Sequence, residues 1–142
     1  MRKVETFVPL IEEAFEKNQT FKMPVNGTSM LPFINKTHHV VLDKPTRIKR
    51  NDMVLYKRSN GQYVLHRIFR VKKGYYVLLG DNQIYREYPI YRNQIIAKVI
   101  EVHKKDKIHK LKGIKYRAYL FFWNFRIIRR IGFKFTRRKK ID

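Results

Sequence analysis

Ser29, His66 and Asp81 are the residues of this 142-residue chain whose types together make a proton-relay site. A serine hydroxyl is a weak nucleophile until a neighbouring base takes its proton. Imidazole titrates near pH ~6.5, so a histidine does this at neutral pH without the large depression a lysine base would need. A carboxylate on the other ring nitrogen fixes the tautomer and the orientation of the ring. Ser29 stands in the stretch Val25-Asn26-Gly27-Thr28-Ser29-Met30-Leu31-Pro32. There Gly27 and Thr28 shape a turn through which the Ser29 N–H faces a developing oxyanion. Strand alternation puts His66 on the face of Val64 and Ile68, where an imidazole needs a partner, and Asp81 is the expected one. The expected roles are nucleophile, base and orienter.

Each residue alone also has an ordinary meaning. A Gly-Thr-Ser step is usually a turn, a histidine on an apolar strand face is usually a satisfied core residue, and Gly80-Asp81-Asn82 is a common turn sequence. The catalytic reading rests on their joint occurrence. His38, His39, His103 and His109 have no companions at metal-ligand spacing and the chain has no cysteine, so neither a metal nor a cofactor is expected.

Three boxes appear in order: Gly27-Thr28-Ser29-Met30-Leu31-Pro32, Val64-Leu65-His66-Arg67-Ile68 and Leu79-Gly80-Asp81-Asn82, with Ser29, His66 and Asp81 separated by 37 and 15 residues. Together they resemble the signal peptidase I and self-cleaving repressor superfamily of serine peptidases, with its Ser-Met, Lys-or-His-Arg and Gly-Asp boxes. Asn51-Asp52-Met53-Val54-Leu55-Tyr56 is similar to the family's Gly-Asp-x-Val strand entry, with Asn51 in the glycine's place. Residues 7–102 follow the order of its small, anchorless members. The resemblance implies a peptidase of the Ser-His-Asp type, with Met30, Arg67 and Asn82 supporting the site. It also implies a second acid about six residues past the Gly-Asp box, a position held here by Glu87. Its substrate is an extended peptide or leader segment docked as an added strand.

The elements that must position these residues follow from periodicity. Residues 1–20 read as an N-terminal amphipathic helix, with Val4, Phe7, Val8, Ile11, Ala14 and Phe15 at helical spacing over 3–17. From residue 21 the period falls to two, and strands are expected at 22–25, 39–43, 52–58, 62–71, 75–79 and 94–103. The fold class is therefore mainly β: an antiparallel, β-barrel-like peptidase core over 21–103 between the helix and a basic, aromatic-rich tail, 104–142. That tail reads as a C-terminal basic amphipathic helix.

Charge is the compositional outlier. Lys and Arg number 33 against 11 Asp and Glu, a net +22, and residues 103–142 carry 15 of the cations with only two acids. Such a field favours polyanions. In the tail, apolar residues and arginines gather on different sides of a helical wheel. Trp123, Phe125, Arg126, Arg129 and Arg130 are thus expected to contact an anionic membrane interface. The competing readings are a helix packed on the β core and a nucleic-acid-binding segment. The last has only charge in its favour, because no recognition motif accompanies it. Without an export signal or a bilayer-spanning segment, the expected location is cytoplasmic, peripheral at the inner membrane surface. The alternative to an active endopeptidase is an inactive peptide-binding, or basic membrane- or nucleic-acid-binding, module on the same fold.

Overall fold

Met53-Val54-Leu55-Tyr56 is apolar at every position, and such a run requires cover on both faces of a strand. In the computed structural model, which describes residues 3–133 and 138–140 with side chains over 3–125, all four are buried. Met53 and Leu55 enter one core with Met23, Met30, Val40, Leu42, Val99 and Val102, while Val54 and Tyr56 enter a second with Ile68, Leu78, Ile90 and Ile95.

The order of elements is α1 (Val8–Glu16), β1 (Phe21–Pro24), β2 (His39–Asp43), β3 (Met53–Lys57), β4 (Tyr63–Lys72), β5 (Tyr75–Leu79), β6 (Arg86–Ile90), β7 (Ile95–Lys104), β8 (Lys107–Lys110), α2 (Ile114–Phe133) and β9 (Arg138–Lys140). The sheet runs β1-β2-β7-β3-β4-β5-β6-β9, with β8 paired to β7. Its pairings are antiparallel apart from β6 with β9. Mainly β with a helix at each end is the expected class.

The barrel-like closure is corrected. Among the described residues the sheet is open: β1 pairs with β2 alone, and β4 pairs with β5 only from Arg67 onward. Register shifts at Val41/Leu42, Leu55/Tyr56 and Ile68/Arg70 mark bulges, the devices that bend a sheet. The expected N-terminal helix is shorter than its apolar pattern. A 3-10 turn, Val4–Thr6, precedes α1, Pro9 sits in the helix's first turn, and Asn18 follows its end at φ 56°. Ile11 of α1 is buried in the first core, with Phe7 and Phe15 against it.

The tail carries the main surprise. Tyr119 packs beside a third cluster made by Phe69, Val77, Leu79 and Trp123, so α2 is docked on the sheet. Trp123 is 2% exposed, and its ring meets Phe69 edge-on at 6.1 Å. Trp123 is therefore corrected from a lipid-facing residue to a core residue. The aromatic spacing Tyr116, Tyr119, Trp123 is itself a helical stripe, and burying it outweighs presenting it to water. Phe125 is 58% exposed, whereas the side chains of Arg126, Arg129 and Arg130 lie outside the described residues.

Candidate active site

Ser29 occupies the irregular loop that leaves β1. Gly27 has φ 91°, a left-handed value that favours glycine, and turns the chain just before the serine. Met30, 3% exposed, anchors the loop in the first core, while Thr28 stays at the surface. A second anchor comes from the Gly-Asp box: the Asn82 N–H donates to the Ser29 carbonyl at 2.8 Å, and the Asn82 side-chain amide donates to the Thr28 carbonyl at 3.4 Å. Among the described residues the Ser29 N–H has no hydrogen-bond partner, which leaves it available to an oxyanion.

His66 is buried on β4 opposite Val54 of β3, on the face expected from alternation with Val64 and Ile68. Its Nδ1–H donates to Glu87 Oε2 at 2.9 Å. The Tyr56 hydroxyl lies 3.2 Å from Nδ1 and donates to the same Oε2 at 2.7 Å. Arg58 completes the carboxylate's shell, with Nε to Oε1 at 2.7 Å and Nη2 to Oε2 at 2.8 Å. Burial alone would raise the Glu87 pKa, but hydrogen bonds from His66, Arg58 and Tyr56 hold it down to about 2. Burial and the Glu87 charge push the Tyr56 phenol upward, so it remains a neutral donor. With a permanent acceptor on Nδ1, the favoured tautomer exposes the Nε2 lone pair, as a general base requires.

Gly80 shows what Nε2 faces. A Cβ built on it would stand 2.7 Å from the Ser29 carbonyl oxygen and 3.1 Å from His66 Nε2. Glycine thus lets the serine loop and the imidazole approach to within one atom-sized gap. No hydrogen bond joins the Ser29 hydroxyl to His66 among the described residues.

Asp81 is the major relocation. Its carboxylate takes Arg67 Nε at 2.8 Å and Nη2 at 2.9 Å, a bidentate pair, and accepts the Tyr119 hydroxyl at 2.8 Å. Both Asp81 and Arg67 are 0% exposed. The carboxylate on His66 Nδ1 is therefore Glu87, corrected from Asp81. A buried guanidinium holds its carboxylate by two parallel bonds, and the shell around Glu87 already contains the imidazole. Asp81 and Arg67 brace the site instead. Nothing in the sequence gives Tyr56 or Arg58 a place in the site, and Gly80 stands out there only as part of the Gly-Asp box. The first two reach Glu87 from β3 and the turn after it, which only the strand register reveals.

A cleft of about 510 Å³ opens over these groups, lined among others by Met23, Val25, Asn26, Ser29, Leu65 and His66. Two strand edges border it: the outer edge of β1 and the first four residues of β4, for which β5 provides no partner.

Residues 1–100 match the model of the Peptidase S24-like family, and no curated protein matches the chain.

Proposed function

The chain belongs to the Peptidase S24-like family, and on that premise we propose that it is a serine endopeptidase in which Ser29 attacks, His66 accepts the proton and Glu87 orients the imidazole. One observation carries the reading. His66 has a buried anionic acceptor on Nδ1, while its Nε2 faces the Ser29 loop across a glycine. In the proposed reaction, Nε2 takes the Ser29 proton as Oγ bonds to the scissile carbonyl carbon. The oxyanion meets the Ser29 N–H, and the imidazolium returns the proton to the leaving amine. Water, deprotonated by the same imidazole, then releases the acyl group. Glu87 stays ionised throughout.

The substrate is an extended segment that docks as an additional strand, hydrogen-bonded to the unpaired edges of β1 and the start of β4. A leader or precursor peptide of the signal-peptidase-like kind has the required conformation. The test is a library of unstructured peptides read by mass spectrometry. The wild-type chain is expected to cut a subset, with Ser29→Ala inactive at unchanged thermal stability and His66→Ala inactive, still folded, and less stable because Glu87 loses a buried partner. Binding of peptides without any cleavage by the wild type would replace the reading with an inactive peptide-binding module.

A second feature favours work at a membrane surface. The face of α2 turned from the sheet exposes Ile114, Phe121 and Phe122 at 87%, 68% and 67%, beside exposed Lys115 and Arg117. Among the described residues no helix is long and apolar enough to cross a membrane. An apolar stripe edged by cations fits the interface of an anionic leaflet, with the body of the protein held peripherally on the cytoplasmic side. Phe121→Ser with Phe122→Ser is expected to release the protein from phosphatidylserine vesicles. Undiminished sedimentation with them would contradict the surface role.

A further inference from the structure

α2 begins at Ile114, beyond the residues that match the family model, yet it reaches the centre of the site. The Arg67 guanidinium sits in an aromatic box, 5.3 Å from the ring centre of Phe33, 5.8 Å from Tyr116, 5.9 Å from Tyr119 and 5.6 Å from Trp123. Three of these rings come from α2, and the fourth, Phe33, comes from the loop that carries Ser29. Phe33 also packs on Tyr119 at 4.9 Å and on Tyr116 at 5.5 Å between ring centres. Arg67 Nη1 donates to the Tyr116 hydroxyl at 2.7 Å and to the Asn51 carbonyl at 2.8 Å.

The Tyr119 hydroxyl bonds Asp81, the residue between Gly80, which leaves room for the Ser29 carbonyl, and Asn82, whose N–H donates to it. Asn124 extends the same helix face to the Asn51 side chain at 3.2 Å. Two separate routes therefore lead from α2 to Ser29, one through Phe33 and one through Asp81. Neither ends on a reacting atom.

We propose that Tyr116 and Tyr119 are positioning residues, through which α2 clamps the Ser29 loop and the Gly80–Asn82 turn against His66. The cationic box makes the clamp directional. Arg67 is fully buried and committed to Asp81, so the rings of α2 close around a fixed charge. Without α2 the guanidinium would face solvent and Phe33 would lose its stacking partners. The serine loop would then be held mainly by Met30 and Asn82. The proposal rests on Ser29 and His66 being the working pair, but its first test does not depend on turnover.

That test is amide hydrogen exchange on the full chain carrying Tyr116→Phe and Tyr119→Phe, which keep both rings and delete both hydroxyls. The reporters are the Leu31 N–H, bonded to the Thr28 carbonyl, and the Asn82 N–H, bonded to the Ser29 carbonyl. Losing hydrogen bonds to a buried ion pair is expected to speed exchange at both at least about tenfold, because local opening is governed by local contacts. The Ile11 N–H, bonded to the Phe7 carbonyl at the start of α1, and the Arg58 N–H, bonded to the Gln62 carbonyl at the far end of β3, should keep wild-type rates. Unchanged exchange at Leu31 and Asn82, or equal acceleration at all four amides, overturns the clamp.

On a cleaved peptide, the double variant should lose kcat by about tenfold or more with KM within about twofold, since strand docking uses other edges. A rise in KM at constant kcat overturns the positioning role. Local loosening in the double variant, with a wild-type chain that cuts no peptide, would leave the clamp standing and remove the peptidase reading.

Discussion

Glu87→Gln isolates the contribution of one charge to both stability and catalysis. The side chain keeps its shape, but an amide must turn N–H₂ toward one of three donors: His66, Arg58 or Tyr56. The carboxylate's pKa is depressed from 4.5 to about 2, which at about 1.36 kcal/mol per pH unit corresponds to roughly 3 kcal/mol favouring the ionised form. A depressed acid stabilises the fold fully above its unfolded pKa and loses that contribution as pH falls through the folded one. Wild-type stability should therefore decline between about pH 4.5 and pH 2 in a way the variant lacks. At pH 7 the variant should be less stable by up to ~3 kcal/mol, less if Arg58, with 16% of its side chain exposed, recovers hydration.

The catalytic effect should be larger than the stability effect. If the amide N–H₂ faces Nδ1, the imidazole must place its proton on Nε2 and can no longer act as a base. A tautomer reversal of this kind costs on the order of 10⁴ in kcat in a serine triad. Urea denaturation at pH 7 and pH 3, with kcat on a library-selected peptide, measures both quantities. A Glu87→Gln protein that retains half of its kcat refutes the orienting role. An unchanged difference in stability from wild type between pH 7 and pH 3 refutes the charge argument.

Asp81→Asn should instead act on folding: it strips the fully buried Arg67 of its paired charge and is expected to cost about 3–5 kcal/mol, measured by denaturant titration. Gly80→Ala places a methyl 2.7 Å from the Ser29 carbonyl oxygen and should cost about 1–3 kcal/mol while lowering kcat, seen by thermal melts and peptide kinetics. Trp123→Ala empties the third cluster and should destabilise by about 3–5 kcal/mol in the same melts.

Much of this site was written locally. His66 falls on the face of Val64 and Ile68 because a strand alternates, and Gly27 takes the left-handed turn that its neighbours in the motif imply. Asn51 adopts φ 77°, as its place at a family glycine requires of a residue tolerant of that region. Glu87 was legible only as the second acid that the resemblance implies, not as the partner of His66. Asp81 and Glu87 are both acids shortly after β5, and only the pairing of Leu78 with Glu87 delivers the second to His66. Strand β6 was missed because Pro89 and two charged residues weaken its pattern, and β8 because Lys-Ile-His-Lys carries little strand signal.

The tail misled for a different reason. Its helix has apolar residues on two sides, and a helical wheel cannot say which stripe the sheet covers. Arg67 supplies that answer, since a buried guanidinium between strands attracts the aromatic stripe of Tyr116, Tyr119 and Trp123.

The most direct measurement of Ser29 activation is covalent trapping with a peptidyl phosphonate ester, followed by proteolysis and mass spectrometry. The expected result is one adduct on the fragment containing Ser29, lost in His66→Ala and strongly slowed in Glu87→Gln. Equal labelling of wild type and His66→Ala, or none in a wild-type protein that binds the probe, would contradict a hydroxyl activated by that imidazole.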